Sequence, residues 1–184
     1  MGQGDGRGWA CVLVWRQADG IDSTGPPERH SNRVGGRDRG PPLTIYIDTS
    51  SIVKLYVEES GRADVRTSVD SATVIVTSQV AYPEARAALI RRRRQRALTS
   101  RDFTAAMSEF ESDWSRFLTI PVSWAICREA GALAERYHLR GFDSIHLASF
   151  AEMLRGLQGR DDVLFSSFDE KLNAAARRLA RTIK

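Results

Sequence analysis

Asp48, Glu84, Asp143 and Asp169 each stand where an apolar run gives way to a turn or where a helical pattern begins. Asp48 ends the run Leu43 to Ile47 and Asp169 follows Val163 to Phe165, while Glu84 and Asp143 lie at or near helix starts. Carboxylates gathered in one cleft repel each other by roughly 4 kcal/mol per pair at about 4 Å and an effective dielectric of about 20. Protonation, an Arg or Lys cluster, or a hard divalent cation must offset that repulsion. Mg2+ suits such a site because it takes carboxylate and water oxygens and leaves positions open for phosphate. A cation so held turns water into a nucleophile and stabilises charge on the leaving oxygen of a phosphodiester. Taken singly, each acid has a plainer reading. An Asp after a strand caps a turn or helix, and Glu84 alone reads as a solvated helix residue. As a set, the four carboxylates point to chemistry.

The elements that must position these acids alternate along the chain. Short apolar runs at 43–47, 73–77, 117–121 and 163–167 read as strands. Helical patterns fall between them at about 50–58, 61–70, 78–95, 100–116, 123–138, 143–156 and 169–182. Such alternation predicts an α/β fold with a central, mainly parallel sheet of four or five strands. Leu172, Ala175, Ala176, Leu179, Ala180 and Ile183 make an apolar stripe at helical period, which reads as core. In an open parallel sheet, ligands collect beyond the carboxyl ends of the strands, where Asp48 and Asp169 fall. Asp143 opens the helix through His146 and Leu147, and the helix dipole there favours its ionised form. Ser78 reads as the N-cap of the helix carrying Glu84, with Pro83 about one turn in and expected to kink it.

The composition sets outer limits. At 184 residues and 42% hydrophobic content, the chain supports one domain with a substantial core. A net charge of +4 suits an anionic partner without demanding one. Cys11 and Cys127 lack metal-ligand spacing and read as free thiols in a reducing compartment. No run approaches the roughly 18 apolar residues of a membrane span, and Trp9 to Trp15 lacks a signal-peptide cleavage site, so a cytoplasmic protein is expected. Residues 1–42 hold nine of the fourteen glycines and four of the six prolines and read as a disordered N-terminal extension to a domain over 43–184. Six arginines against five acids in that segment leave it nearly neutral, which argues against a nucleic-acid-binding arm.

The runs IYIDTSSIVKLY, TSQVAYPEARAAL, LRGFDSIHLA and LFSSFDEKLNAAA, in this order, closely resemble PIN-domain ribonucleases, and in particular VapC toxins of type II toxin–antitoxin systems. The resemblance covers about residues 43–182 and implies a PIN-like fold and metal-dependent endoribonuclease activity. Asp48, Glu84, Asp143 and Asp169 match the family's acidic positions, which hold Mg2+ or Mn2+ and activate water to cleave RNA. By the same resemblance Asp48 and Asp143 are direct metal ligands, and Glu84 and Asp169 complete the pocket or act through water. Ser50 and Ser167 match hydroxyl positions that orient the acids. Ser167 departs mildly from the family's frequent Thr. The implied substrate is structured RNA such as tRNA or ribosomal RNA. The implied partners are a VapB-type antitoxin lying across the cleft and a second copy in a homodimer.

Other features are weaker. Arg91 to Arg94, with Arg86 and Arg96, form the strongest basic cluster, but consecutive residues point around a helix, so only some can face RNA phosphates. His146 reads as a packed or capping histidine, and Lys54 as a surface lysine or a phosphate contact. Trp114, Trp124 and Tyr137 read as core or interface, and Ile52, Val53, Leu55 and Tyr56 as core or an antitoxin surface. Two other readings compete: a PIN nuclease of RNA processing, and an inactive PIN-fold binding module. A haloacid-dehalogenase phosphatase fails because Ser50 stands where its second Asp is required.

Overall fold

The computed structural model describes residues 13–15, 43–159 and 162–183. In chain order these form β1 (Leu13–Trp15), β2 (Leu43–Ile47), α1 (Thr49–Tyr56), α2 (Arg62–Ser71), β3 (Val74–Ser78) and α3 (Ala81–Arg94). There follow α4 (Ser100–Trp114), β4 (Leu118–Ile120), α5 (Trp124–Tyr137), α6 (Gly141–Leu157), β5 (Asp162–Ser166) and α7 (Glu170–Ala180). The strands make one sheet in the order β1-β5-β2-β3-β4. β5, β2, β3 and β4 run parallel, and β1 lies antiparallel on β5 with Val14 opposite Leu164.

Side-chain alternation along the strands divides the core in two. Ile45, Ile47 and Leu164 face one side and pack with Ile52, Val65, Leu89 and Phe110 from α1 to α4. Tyr46, Val76, Val163 and Phe165 face the other, against Ile126, Leu133, Leu147 and Leu172 from α5 to α7. Covering on both faces is what the nearly continuous apolar runs of parallel strands require. The α7 stripe is buried from Leu172 to Ala180, and Ile183 packs partly against the same cluster.

Several expectations are corrected. Ser78 ends β3 instead of capping α3, whose N-cap is Val80 with no side-chain bond. Pro83 is therefore the third residue of α3, where no intrahelical donor is lost. The helical bond from the Glu84 amide to the Val80 carbonyl, 3.3 Å, forms directly after it. Ile52, Val53, Leu55 and Tyr56 are all buried, so they belong to the core and offer no antitoxin surface. Trp124, by contrast, is 78% exposed and is not core, because it opens α5 on the side away from the sheet-facing residues Ile126, Ala130 and Leu133. Of the segment 1–42, only Leu13–Trp15 is described, and there the expected disordered extension contributes a strand. Its pairing fills the free edge of β5. The rest of that segment, including Cys11, lies outside the described residues, while Cys127 is a free thiol. No helix among the described residues is long and apolar enough to cross a membrane.

Candidate active site

The strand order creates a crevice before any side chain is considered. From β2 the chain proceeds to β3 and β4 on one side, then returns through α5 and α6 to place β5 on β2's other side. The helix following β2 packs on one face of the sheet and the helix following β5 on the opposite face. Their N-termini part beyond the carboxyl ends of two adjacent strands, which is the topological switch point where α/β sheets bind ligands.

The four acids sit on four helix N-termini around that crevice. Asp48 is the N-cap of α1 and accepts the Ser51 amide at 3.0 Å. Asp169 is the N-cap of α7 and accepts the Leu172 amide at 2.8 Å. Glu84 and Asp143 occupy the first turns of α3 and α6. Asp48, Glu84, Asp143 and Asp169 line a single cleft of about 410 Å3. Capping and cleft lining are thus compatible, since Asp48 and Asp169 do both.

Hydroxyl groups fix the most buried of these carboxylates. Asp48, 5% exposed, accepts Ser50 Oγ at 2.8 and 3.0 Å on its two oxygens and Ser167 Oγ at 2.8 Å on Oδ2. Ser167 Oγ in turn accepts the Asp169 amide at 3.0 Å, and Ser50 Oγ accepts the Phe168 amide at 2.8 Å. These two serines tie the ends of β2 and β5 together across the switch point. Burial pushes the Asp48 carboxyl above its ordinary range, against the opposing pull of His146 and of the Ser51, Ser167 and Ser50 bonds.

Glu84 is held differently. Thr49 Oγ1 donates to its Oε2 at 2.5 Å, and His146 Nε2 lies 3.1 Å from the same oxygen and 3.0 Å from Thr49 Oγ1. Burial pushes the Glu84 carboxyl up, but the His146 and Thr49 bonds outweigh it and leave the group below its ordinary range. An ionised carboxylate only accepts, so His146 Nε2 carries its hydrogen toward Glu84. On the far side of the ring, the Tyr46 hydroxyl bonds Nδ1 at 3.0 Å. Tyr46 itself is fully buried and stacks on Phe165 at 5.5 Å, so the sheet core anchors this chain of contacts.

Asp143 has no such set of donors. Burial first, and then the charges of Asp169 and Asp48, raise its carboxyl above the ordinary range; Arg140 pulls the other way, by more than the charge of Glu84 adds. A group raised by three neighbouring carboxylates reports a site with unbalanced negative charge. Among the described residues, no group of three or more His, Cys, Asp or Glu side chains is drawn together closely enough to hold a metal ion. An open site of one or two carboxylates plus water is what Mg2+ uses, and the four carboxylates on this cleft fit a hard divalent cation.

The PIN domain family model matches residues 45–178, the whole span from β2 to α7. The chain belongs to the PIN-domain family. Within it, the chain is 30% identical over 132 residues to "Ribonuclease VapC45" of Mycobacterium tuberculosis strain CDC 1551 / Oshkosh, covering 72% of this chain and 88% of the relative. The same identity and coverage hold for "Ribonuclease VapC49" of strain ATCC 25618 / H37Rv. This PIN domain therefore falls with the VapC ribonucleases, as the four sequence runs imply.

Some members of the site were not legible in the sequence. Thr49 and Tyr46 carry no local signal, since their partners lie 97 and 100 residues away in His146. His146 reads as a packed histidine, and it is buried, yet both ring nitrogens are engaged and one reaches Glu84. The spacing of Asp143 and His146, i and i+3 at a helix start, was the one available hint. Of the basic cluster, Arg92 lines the cleft, Arg93 lies over the Phe103 ring at 4.9 Å, and Arg86 pairs with Glu111 and Tyr82.

Proposed function

We propose that this VapC-family PIN domain is the toxin of a type II toxin–antitoxin system, a Mg2+-dependent endoribonuclease (with Mn2+ as substitute) that cuts structured RNA such as tRNA or ribosomal RNA in the cytoplasm. The observation that carries the reading is the convergence of Asp48, Glu84, Asp143 and Asp169 on one cleft at the switch point of the sheet. Asp48 and Asp143 would hold the cation. Its contribution when bound is a lowered water pKa and charge stabilisation on phosphodiester oxygens.

The chain's own residues do the remaining work. Ser50 and Ser167 fix both oxygens of Asp48, so its direction is set before substrate arrives. Thr49 and His146 keep Glu84 ionised, which makes it a permanent acceptor able to orient water. Asp169, tied through Ser167 to Asp48, completes the acidic wall. The partners of this reading are RNA, a VapB-type antitoxin that covers the cleft, and a second copy of the chain.

Purified protein incubated with total cellular RNA tests this reading. Discrete fragments that require Mg2+ or Mn2+ are expected, reduced by more than about 100-fold in Asp48→Asn and in Asp143→Asn, beyond what loss of an outer hydrogen-bond partner costs. No cleavage under either metal, with antitoxin verifiably absent, would leave an inactive binding module. Cleavage surviving in both variants would place the chemistry elsewhere.

A further inference from the structure

The cleft has a basic wall facing its acids. Lys54 of α1, Glu59 of the α1–α2 loop and Arg92 of α3 all line it. Arg92 Nη1 and Nη2 donate to Glu59 Oε2 and Oε1 at 2.6 and 3.1 Å, a fork on one carboxylate. Lys54 Nζ donates to Glu59 Oε1 at 3.2 Å and to the Ser60 carbonyl at 2.7 Å, and lies 4.2 Å over the Phe168 ring. The side chains are 15%, 22% and 32% exposed for Lys54, Glu59 and Arg92, so the trio is shielded without being sealed.

The trio carries one net positive charge on a cleft that also holds the carboxylates of Asp48, Glu84, Asp143 and Asp169. An RNA strand entering there meets repulsion from the acids that a cation-bearing wall must offset. The guanidinium fork that grips two carboxylate oxygens matches two phosphate oxygens equally well, and the neighbouring ammonium adds a point charge. Glu59 therefore occupies the place a phosphodiester would take.

We propose that Lys54 and Arg92 form a binding subsite for an RNA phosphate beside the acidic cleft, with Glu59 as its resident stand-in that RNA displaces. The inference rests on the ribonuclease reading for its ligand. It selects two residues from a large basic surface: Arg93, over Phe103, takes no part.

The test measures binding apart from cleavage, using the full chain in EDTA and a short fluorescein-labelled single-stranded RNA, by anisotropy across a salt series. The double variant Arg92→Gln/Lys54→Gln is expected to lower the slope of log K against log salt by about 0.7, the value of one single-strand phosphate contact, and each single variant by part of that. Glu59→Gln removes the competing carboxylate and should tighten binding by about threefold, the scale of one partly exposed ion pair. Arg92→Lys should keep the slope and lose affinity, because it retains charge without the fork, and Arg93→Gln should match wild type. Thermal melts confirm that each variant is folded. Equal changes in Arg92→Gln and Arg93→Gln would overturn the subsite, as would weaker or unchanged binding by Glu59→Gln, which would make Glu59 a strut between the loop and α3. Failure of the ribonuclease reading is separable, since it removes metal-dependent cleavage and leaves this binding pattern intact.

Discussion

Asp143 and His146 occupy the same turn of α6 and have opposite effects on the site's charge. Asp143 is raised by burial and by Asp169, Asp48 and Glu84, so its ionised form costs folding free energy in the metal-free protein. A folded-state pKa above the unfolded value means that the native state binds more protons in the window between them, so stability falls as pH rises through it. Asp143→Asn should therefore raise the melting temperature of metal-free protein at neutral pH and flatten its decline as pH rises above the ordinary carboxylate range. Solvent screening of the half-exposed group holds the gain below about 1 kcal/mol. A lower melting temperature in Asp143→Asn would show that the carboxylate stabilises the α6 N-terminus more than its neighbours repel it. His146 instead donates to Glu84 while Tyr46 secures its other nitrogen. His146→Phe should lower cleavage by about 10–100-fold, the usual cost of losing a group that orients a functional carboxylate. His146→Gln, which keeps a donor, should recover part of the loss. Full activity in His146→Phe would reduce the histidine to packing.

At the scale of elements, four helices deliver one carboxylate each from an N-terminal position, and this much was readable because strand-to-helix junctions are visible in hydrophobic patterning. β2 is found at the bounds expected from the sequence, and the other three strands over 43–184 each differ by one residue at both ends. Ser78 was misplaced because a short polar residue after a strand suits an N-cap, whereas β3 continues through it to pair with Ile120 of β4. What could not be read was which side chains meet across the crevice, since Tyr46, Thr49, Glu84 and His146 are joined only by tertiary packing. The basic wall was equally hidden: Glu59 lies in a loop, and only the fold brings it to Arg92. That loop ends at Gly61, whose φ of +88° is left-handed and whose added Cβ would stand 2.5 Å from the Phe168 ring. Gly61→Ala should thus destabilise the protein by about 1 kcal/mol or more from backbone strain alone. It should also displace Phe168 next to Asp169 and reduce RNA cleavage. Denaturant unfolding measures the first effect, and an unchanged midpoint would contradict the strain argument.

For the whole molecule, the sheet's two edges have different surroundings. β1 covers β5 at one edge, while β4 is left as the other edge, with Leu118 61% exposed. Val122 and Trp124, 36% and 78% exposed, follow directly on the connection into α5. Large apolar side chains beside a strand edge that no described residue pairs favour association, and none of Leu118, Val122 and Trp124 lines the acidic cleft. If the proposed homodimer forms, a second copy docked there is the arrangement we expect, because this group lies outside the residues that line the cleft. Light scattering should then report twice the chain mass of 20.5 kDa for wild type at tens of micromolar. Trp124→Glu, which places a charge in the apolar group while touching no residue of the cleft, should shift the protein to monomer and leave its thermal melt cooperative. A wild-type monomer would overturn the homodimer. A Trp124→Glu dimer would move the interface to another face.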